Sequence, residues 1–156
     1  MRVVNTDTSS WGYESFNGGA LQPVNITNDY TEYLPSLNMT FNLSEETLLR
    51  LGLARVISRP PLDELRATRQ LFNTTPPPTG SGGNPLLDPF LANQLDLSYE
   101  WYFAPESLFA LAAFYKDVDS HIGYTTDPVT IDGTTYAVTG PFNGDGGGIA
   151  GVELTF

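Results

Sequence analysis

The sequence predicts an all-β chain folded as an antiparallel up-and-down meander, and three observations carry that expectation. The stretch LDLSYEWYF, Leu95 to Phe103, puts Leu95, Leu97, Tyr99, Trp101 and Phe103 on one side of an extended segment and Asp96, Ser98, Glu100 and Tyr102 on the other, which is the period of two of a strand. Two units, Leu34–Pro60 and Asn93–Ser120, repeat one design of alternating strand, short turn and alternating strand. Short turns and long connections follow one another along the chain, so the strand ends of one side are joined tightly and those of the other loosely.

Taken in order, a first hairpin covers residues 33–58, with Glu46-Thr47-Leu48 at the exit of its turn. Arg59-Pro60-Pro61 marks its exit from the sheet, because proline donates nothing to a ladder. A long loop spans residues 59–92. Within it Leu62 to Phe72 has the composition of a short helix, which the prolines from Pro76 to Pro78 and the glycines to Gly83 cannot continue. The second hairpin covers residues 93–119, a second long loop covers residues 120–148 and ends in GDGGG, and IAGVELTF reads as one more strand. About five strands result.

The turns also suggest a register. For the apolar sides of both arms to coincide, paired residues must sum to an even number. The expected pairs are Leu43 with Leu49, Phe41 with Leu51 and Met39 with Leu53, then Phe103 with Phe109, Trp101 with Leu111 and Tyr99 with Ala113. The polar side then sets Asn42 against Arg50, Glu100 against Ala112 and Asp96 against Lys116, where opposite charges meet. Leu108 and Phe114 fall on that polar side, which marks the fourth strand as the place where the register could shift by one.

Composition bounds the function. The 7 Lys+Arg against 18 Asp+Glu give a net charge of −11, which opposes phosphate backbones and excludes nucleic acid as the expected partner. With no cysteine there is no disulfide framework, thiol nucleophile or Cys-based zinc site. The first residues, MRVVNTDTSSWGY, lack the apolar core of a signal peptide, so the chain either stays where it is made or is an internal piece of a longer exported protein.

The uncharged side of these strands must be covered, since each large apolar side chain left in water forgoes ~1.5–3 kcal/mol. A second sheet would cover it in a water-soluble sandwich. Lipid would cover it in a transmembrane barrel, whose strands need about 9–11 residues and whose turns alternate short and long. Pattern alone leaves both open.

Particular words then bear on the choice. Tyr33-Leu34-Pro35-Ser36-Leu37-Asn38, Ser58-Arg59-Pro60, Gly83-Asn84-Pro85-Leu86-Leu87-Asp88-Pro89, Asp96 through Phe103, Phe114-Tyr115-Lys116-Asp117 and Gly151-Val152-Glu153-Leu154 follow one another in order over Tyr30 to Phe156. In this the chain resembles the barrel domain of TonB-dependent outer-membrane receptors, with Met1 to Asp29 fitting more loosely as the end of a preceding strand and its outer loop. The resemblance implies an open fragment of a transmembrane β-barrel of about 22 strands with a plugged lumen, the plug domain lying outside this chain, in the bacterial outer membrane. It implies lipid as one partner, the TonB complex as another through the plug region, and a scarce solute such as an oligosaccharide, a ferric siderophore or a cobalamin-like compound. The words look more like those of the carbohydrate-associated branch. No cofactor, metal or covalent chemistry is implied.

Lumen-facing candidates for ligand contact are Arg50, Asp96, Glu100 and Lys116. Sharper readings of other motifs yield to plainer ones. GGGIAG (Gly146–Gly151) fits a dinucleotide fingerprint in letters but opens a strand, not a helix. Asp117 and Asp119 lack the glycine and later ligands of a calcium loop. Asn25, Asn38, Asn42 and Asn73 begin glycosylation triplets but suit polar sides of strands. The sole His121 has no nucleophile or second histidine in its context, and a substrate role for Arg59 has no support beyond its exit position. Asp96 and Glu100 could form a glycosidase pair, although Asp96 with Lys116 as a salt bridge is the simpler reading. The other class in play is a secreted β-sandwich that binds glycans on Tyr99 and Trp101.

Overall fold

The computed structural model describes residues 1–15, 17–74 and 76–156. It is all-β, with no helix among the described residues. The strands are β1 (Arg2–Ser15), β2 (Leu21–Leu34), β3 (Ser36–Asn42), β4 (Thr47–Ser58), β5 (Arg69–Phe72), β6 (Thr79–Gly82), β7 (Phe90–Ala104), β8 (Ser107–Ile131) and β9 (Thr134–Thr155). A curled seven-stranded sheet has the order β3-β4-β7-β8-β9-β6-β5, and β1 and β2 form a separate hairpin. All pairings are antiparallel except the short β6–β9 contact. Pro35 separates β2 from β3, yet its carbonyl still accepts from the Arg55 amide at 3.0 Å, so the two strands act as one long pass broken by a residue that cannot donate.

Several expectations need correction. The Ile122–Gly148 region is not a loop: β8 and β9 run through it as one long hairpin to the turn Asp132-Gly133. Positive φ values at Asp132 (48°) and Gly133 (75°) fit the tight primed turns that match strand twist. A similar pair, Asn17 (53°) and Gly18 (74°), stands between β1 and β2, where a loop was expected. The described residues therefore form nine strands, not about five. Leu62–Phe72 is not helical either. One turn forms there, with the Glu64 and Leu65 amides bonding back to the Pro61 and Leu62 carbonyls. Arg69–Phe72 then pairs as β5 with β6, and Leu71 packs against Ile131, Tyr136 and Val138. A helix this short is marginal in water, and the sheet contact wins.

Both hairpin registers are even, as expected, but slide by two residues. Phe41 faces Leu49, Met39 faces Leu51 and Leu37 faces Leu53; Trp101 faces Phe109, Tyr99 faces Leu111 and Leu97 faces Ala113. The first slides because its turn is tight, the Leu43 amide reaching the Thr47 carbonyl at 2.9 Å. The second slides because it closes as Ala104 with Ser107 after an irregularity beyond Trp101. A slide of two keeps every side chain on its face. Phe114 keeps the polar side without a one-residue shift and faces Gly151, where an added Cβ would meet its ring at 2.5 Å.

The pairings align the apolar side chains into rows across the sheet. One row is Met39, Leu51, Leu97, Ala113 and Val152; another is Phe41, Leu49, Tyr99, Leu111 and Leu154. Leu37, Leu53, Leu95 and Tyr115 form a third, and Trp101 with Phe109 begins a fourth. Aromatic rings crowd the turn end, with Trp101 and Phe103 centroids 5.3 Å apart and Phe103 and Phe156 stacked at 6.3 Å. Among the described residues nothing covers these rows: Leu97 is 44% exposed and Val152 71%. Among the described residues the buried apolar side chains lie elsewhere, some in small clusters such as Val4, Leu34 and Leu91 or Ile131, Tyr136 and Val138.

Candidate functional site

The opposite side of the same wall is polar. Alternation forces this, since neighbours of the apolar residues along each strand point the other way. Its rows read Asn38, Gly52, Asp96, Phe114 and Gly151, and then Thr40, Arg50, Ser98, Ala112 and Glu153. They enclose a trough of about 550 Å³ lined by Arg50, Asp96 and Lys116, among others. Gly52 lines it beside Asn38 and Asp96, where an added Cβ would make ordinary contacts at 3.5 and 3.6 Å.

All four candidate residues lie on this side, and they do not form the expected pairs. Asp96 faces Phe114, while Lys116 faces Gln94 and Ile149, so the Asp96–Lys116 contact is absent from the ladder. The two-residue slide removed it. Arg50 and Glu100 meet instead: the guanidinium Nε donates to Glu100 Oε1 at 2.8 Å and Nη2 to Oε2 at 3.5 Å. Tyr102 Oη donates to Glu100 Oε2 at 2.9 Å. The ladder sets Arg50 opposite Ser98 and Leu48 opposite Glu100, so the ion pair is diagonal, between strands from different hairpins. Sequence reasoning that pairs residues only within a hairpin has no access to it. Glu100 is thereby engaged with a cation and a phenol, an arrangement of a structural carboxylate and not of a glycosidase acid.

Above the trough the chain builds a second layer of contacts. Arg55 Nη2 lies 2.9 Å from Asp119 Oδ2 and 4.0 Å from Glu32 Oε2, and Nη1 donates to Asn93 at 3.1 Å. Asp119 is thus spent on an arginine. His121 holds its Nδ1 2.7 Å from the Asp145 carbonyl, and Arg59 donates to Thr6 Oγ1 at 3.2 Å. Residues 59–69 lie against β1, where the Ala67 amide donates to Ser10 Oγ at 2.8 Å and Arg69 pairs with Glu14 at 2.9 Å. The hairpin tips also join, the Asp132 and Gly133 amides bonding to the Gly19 and Gly18 carbonyls at 3.1 and 3.3 Å. Tyr124 donates to Glu64; that bond, then desolvation, raises the phenol above the ordinary tyrosine range.

The family described as TonB dependent receptor-like, beta-barrel, matches residues 2–156. No curated protein matches the chain. Among solved structures, a variant of the ferric enterobactin receptor PfeA of Pseudomonas aeruginosa aligns with a TM-score of 0.65 at 20% identity, over 86% of this chain and 21% of that one. The siderophore receptor PirA of Pseudomonas aeruginosa aligns at 0.60 and 20% identity, over 86% of this chain and 27% of its own length. PirA of Acinetobacter baumannii aligns at 0.60 and 18% identity, over 85% and 22%. At these identities the likeness is one of fold. The chain spans about a fifth to a quarter of the length of these receptors.

Proposed function

Because the chain belongs to the TonB-dependent receptor-like β-barrel family, we propose that it forms part of the wall of a bacterial outer-membrane receptor that takes up a ferric siderophore. The work is transport and not catalysis. Its energy is supplied by the TonB complex acting through a plug that this stretch of wall surrounds.

One observation carries the reading: four apolar rows whose members are half-buried or exposed, Leu111 at 43% and Val152 at 71% among them, backed by a polar face that holds every strand charge over Leu37–Leu43, Leu49–Leu53 and Leu95–Phe103. Hydrocarbon satisfies the first face and water the second. The ring cluster of Trp101, Phe103 and Phe156 then sits where an interfacial aromatic girdle belongs. Arg50, Glu100, Asp96 and Lys116 line the hydrated lumen, and the joined hairpins rise above the outer surface to meet solute. Ferric siderophore is favoured over oligosaccharide and cobalamin-like compounds because the similar solved structures are described as siderophore receptors.

The test uses the complete receptor. In iron-limited cells, deleting its gene should abolish uptake of a radiolabelled ferric siderophore, reintroduction should restore it, and loss of TonB should abolish it again. Unchanged iron uptake, with oligosaccharide uptake lost instead, would overturn the solute class.

A further inference from the structure

The hairpin β1–β2 carries a face that the transport reading does not use. Its even-numbered side, including Val4, Thr6, Ser10 and Gly12, lies against the chain or is half-buried. The odd-numbered side is open: Trp11 is 72% exposed, Tyr13 55% and Tyr33 58%. Pairing sets Trp11 opposite Asn25 and Tyr13 opposite Pro23, with Asp7 directly opposite Asp29. Trp11 and Tyr13 are one pleat, about 7 Å, apart along the strand.

We propose that this face binds a neutral oligosaccharide, namely the uncharged sugar chains of the outer-leaflet glycolipid surrounding the receptor. Exposed ring faces stack on the apolar faces of pyranose rings, and the flanking groups supply both hydrogen-bond polarities. Asn25 Oδ1 accepts from Ser9 Oγ at 2.8 Å and Asn5 Oδ1 accepts from Thr31 Oγ1 at 3.0 Å. Each amide is therefore held by its oxygen, with its NH₂ turned to donate. Asp7 and Asp29 accept from hydroxyls, and as like charges directly opposite they are otherwise a cost to the hairpin. The face has no Lys or Arg and carries two carboxylates, so it repels phosphate and favours uncharged polyols.

Position selects the occupant. Odd residues of β2 run through Pro35 into Leu37, Met39 and Phe41 of β3, so the platform continues the lipid-side face upward. Asn25 stands twelve residues beyond Leu37, about 40 Å along an extended strand, in the sugar layer and not among acyl chains. This placement rests on the membrane orientation proposed above, whereas binding can be measured apart from it.

The experiment uses the complete receptor in detergent and, as probe, the outer-leaflet glycolipid's polysaccharide released by mild acid and dephosphorylated. Saturable binding is expected, weakened about tenfold or more by Trp11→Ala, as for a stacked tryptophan anchor, and largely kept by Trp11→Phe. It should be weakened by Asp7→Asn with Asp29→Asn and unaffected by a chelator. Absence of saturable binding, equal binding by Trp11→Ala, loss on chelation, or binding only of the phosphorylated form would each overturn the proposal. Siderophore uptake and heat-modifiable migration of the barrel report separately on the transport reading and on folding, and should be unchanged by Trp11→Ala.

Discussion

The two halves of this chain solve the same problem in opposite ways. The upper half, from the paired hairpin tips down to Leu34 and Leu91, builds small cores within protein, where Leu87 is 1% exposed, Val4 5% and Ile131 6%, and leaves Trp11, Tyr13 and Tyr33 open on its outer side. The lower wall, rows Leu37 to Trp101, buries almost none of its apolar groups, although its strands are as regular and its side chains larger. Regular pairing satisfies the backbone in both. The difference is the solvent each is built for, and it shows that burial within the chain is no measure of how completely a β wall is specified.

Substitutions can break this contrast in either half. The largest effect is expected from Leu97→Arg, which places a guanidinium in the middle of the apolar rows; in the complete receptor it should cost ~2–4 kcal/mol in lipid, read from the urea midpoint of refolding into bilayers, and should reduce assembly in the membrane. Leu87→Ala should cost about 2 kcal/mol, at the lower end for a buried leucine because the surrounding loop can relax. It should loosen residues 59–92 by hydrogen exchange without altering insertion. Arg55, at the border between halves, should couple to Asp119 by ~0.3–1 kcal/mol in a double-mutant cycle, less at high salt, since both partners are partly exposed. The smallest effect concerns Tyr124. Its raised phenol favours the folded state while protonated. That contribution is complete below the ordinary tyrosine range and is lost as pH rises through the raised value. Phenolate absorbance should therefore appear at higher pH than in Tyr124-containing peptide, and Glu64→Gln should bring the two together.

The same division governs what was legible in the sequence. The wall was legible because Leu, Trp, Phe and Tyr alternate with Asp, Ser, Glu and Asn over Leu95–Phe103, and lipid contact demands that alternation at every strand. Its register was legible only as even, because a slide of two leaves all side chains on their faces; hence the expected Asp96–Lys116 pair gave way to Arg50–Glu100. The upper half was misread as loops. Its strands are rich in Thr, Gly and Asp and lack strong alternation, and their best signals were the dipeptides Asn17-Gly18 and Asp132-Gly133. Residues 59–69, packed against β1 through Ser10 and Glu14, depend on partners more than fifty positions away, which no local pattern encodes.

The central claim, that hydrocarbon covers the odd-numbered side of β7, is tested most directly by spin labels on single cysteines placed one at a time from Leu95 to Phe103 of the complete receptor in bilayers, a region with no native cysteine to interfere. Collision with oxygen should peak at residues 95, 97, 99 and 101, and collision with a water-soluble nickel chelate at 96, 98 and 100, with a period of two. Odd positions that collide with the chelate, or that are shielded from both reagents as in a protein core, would contradict it.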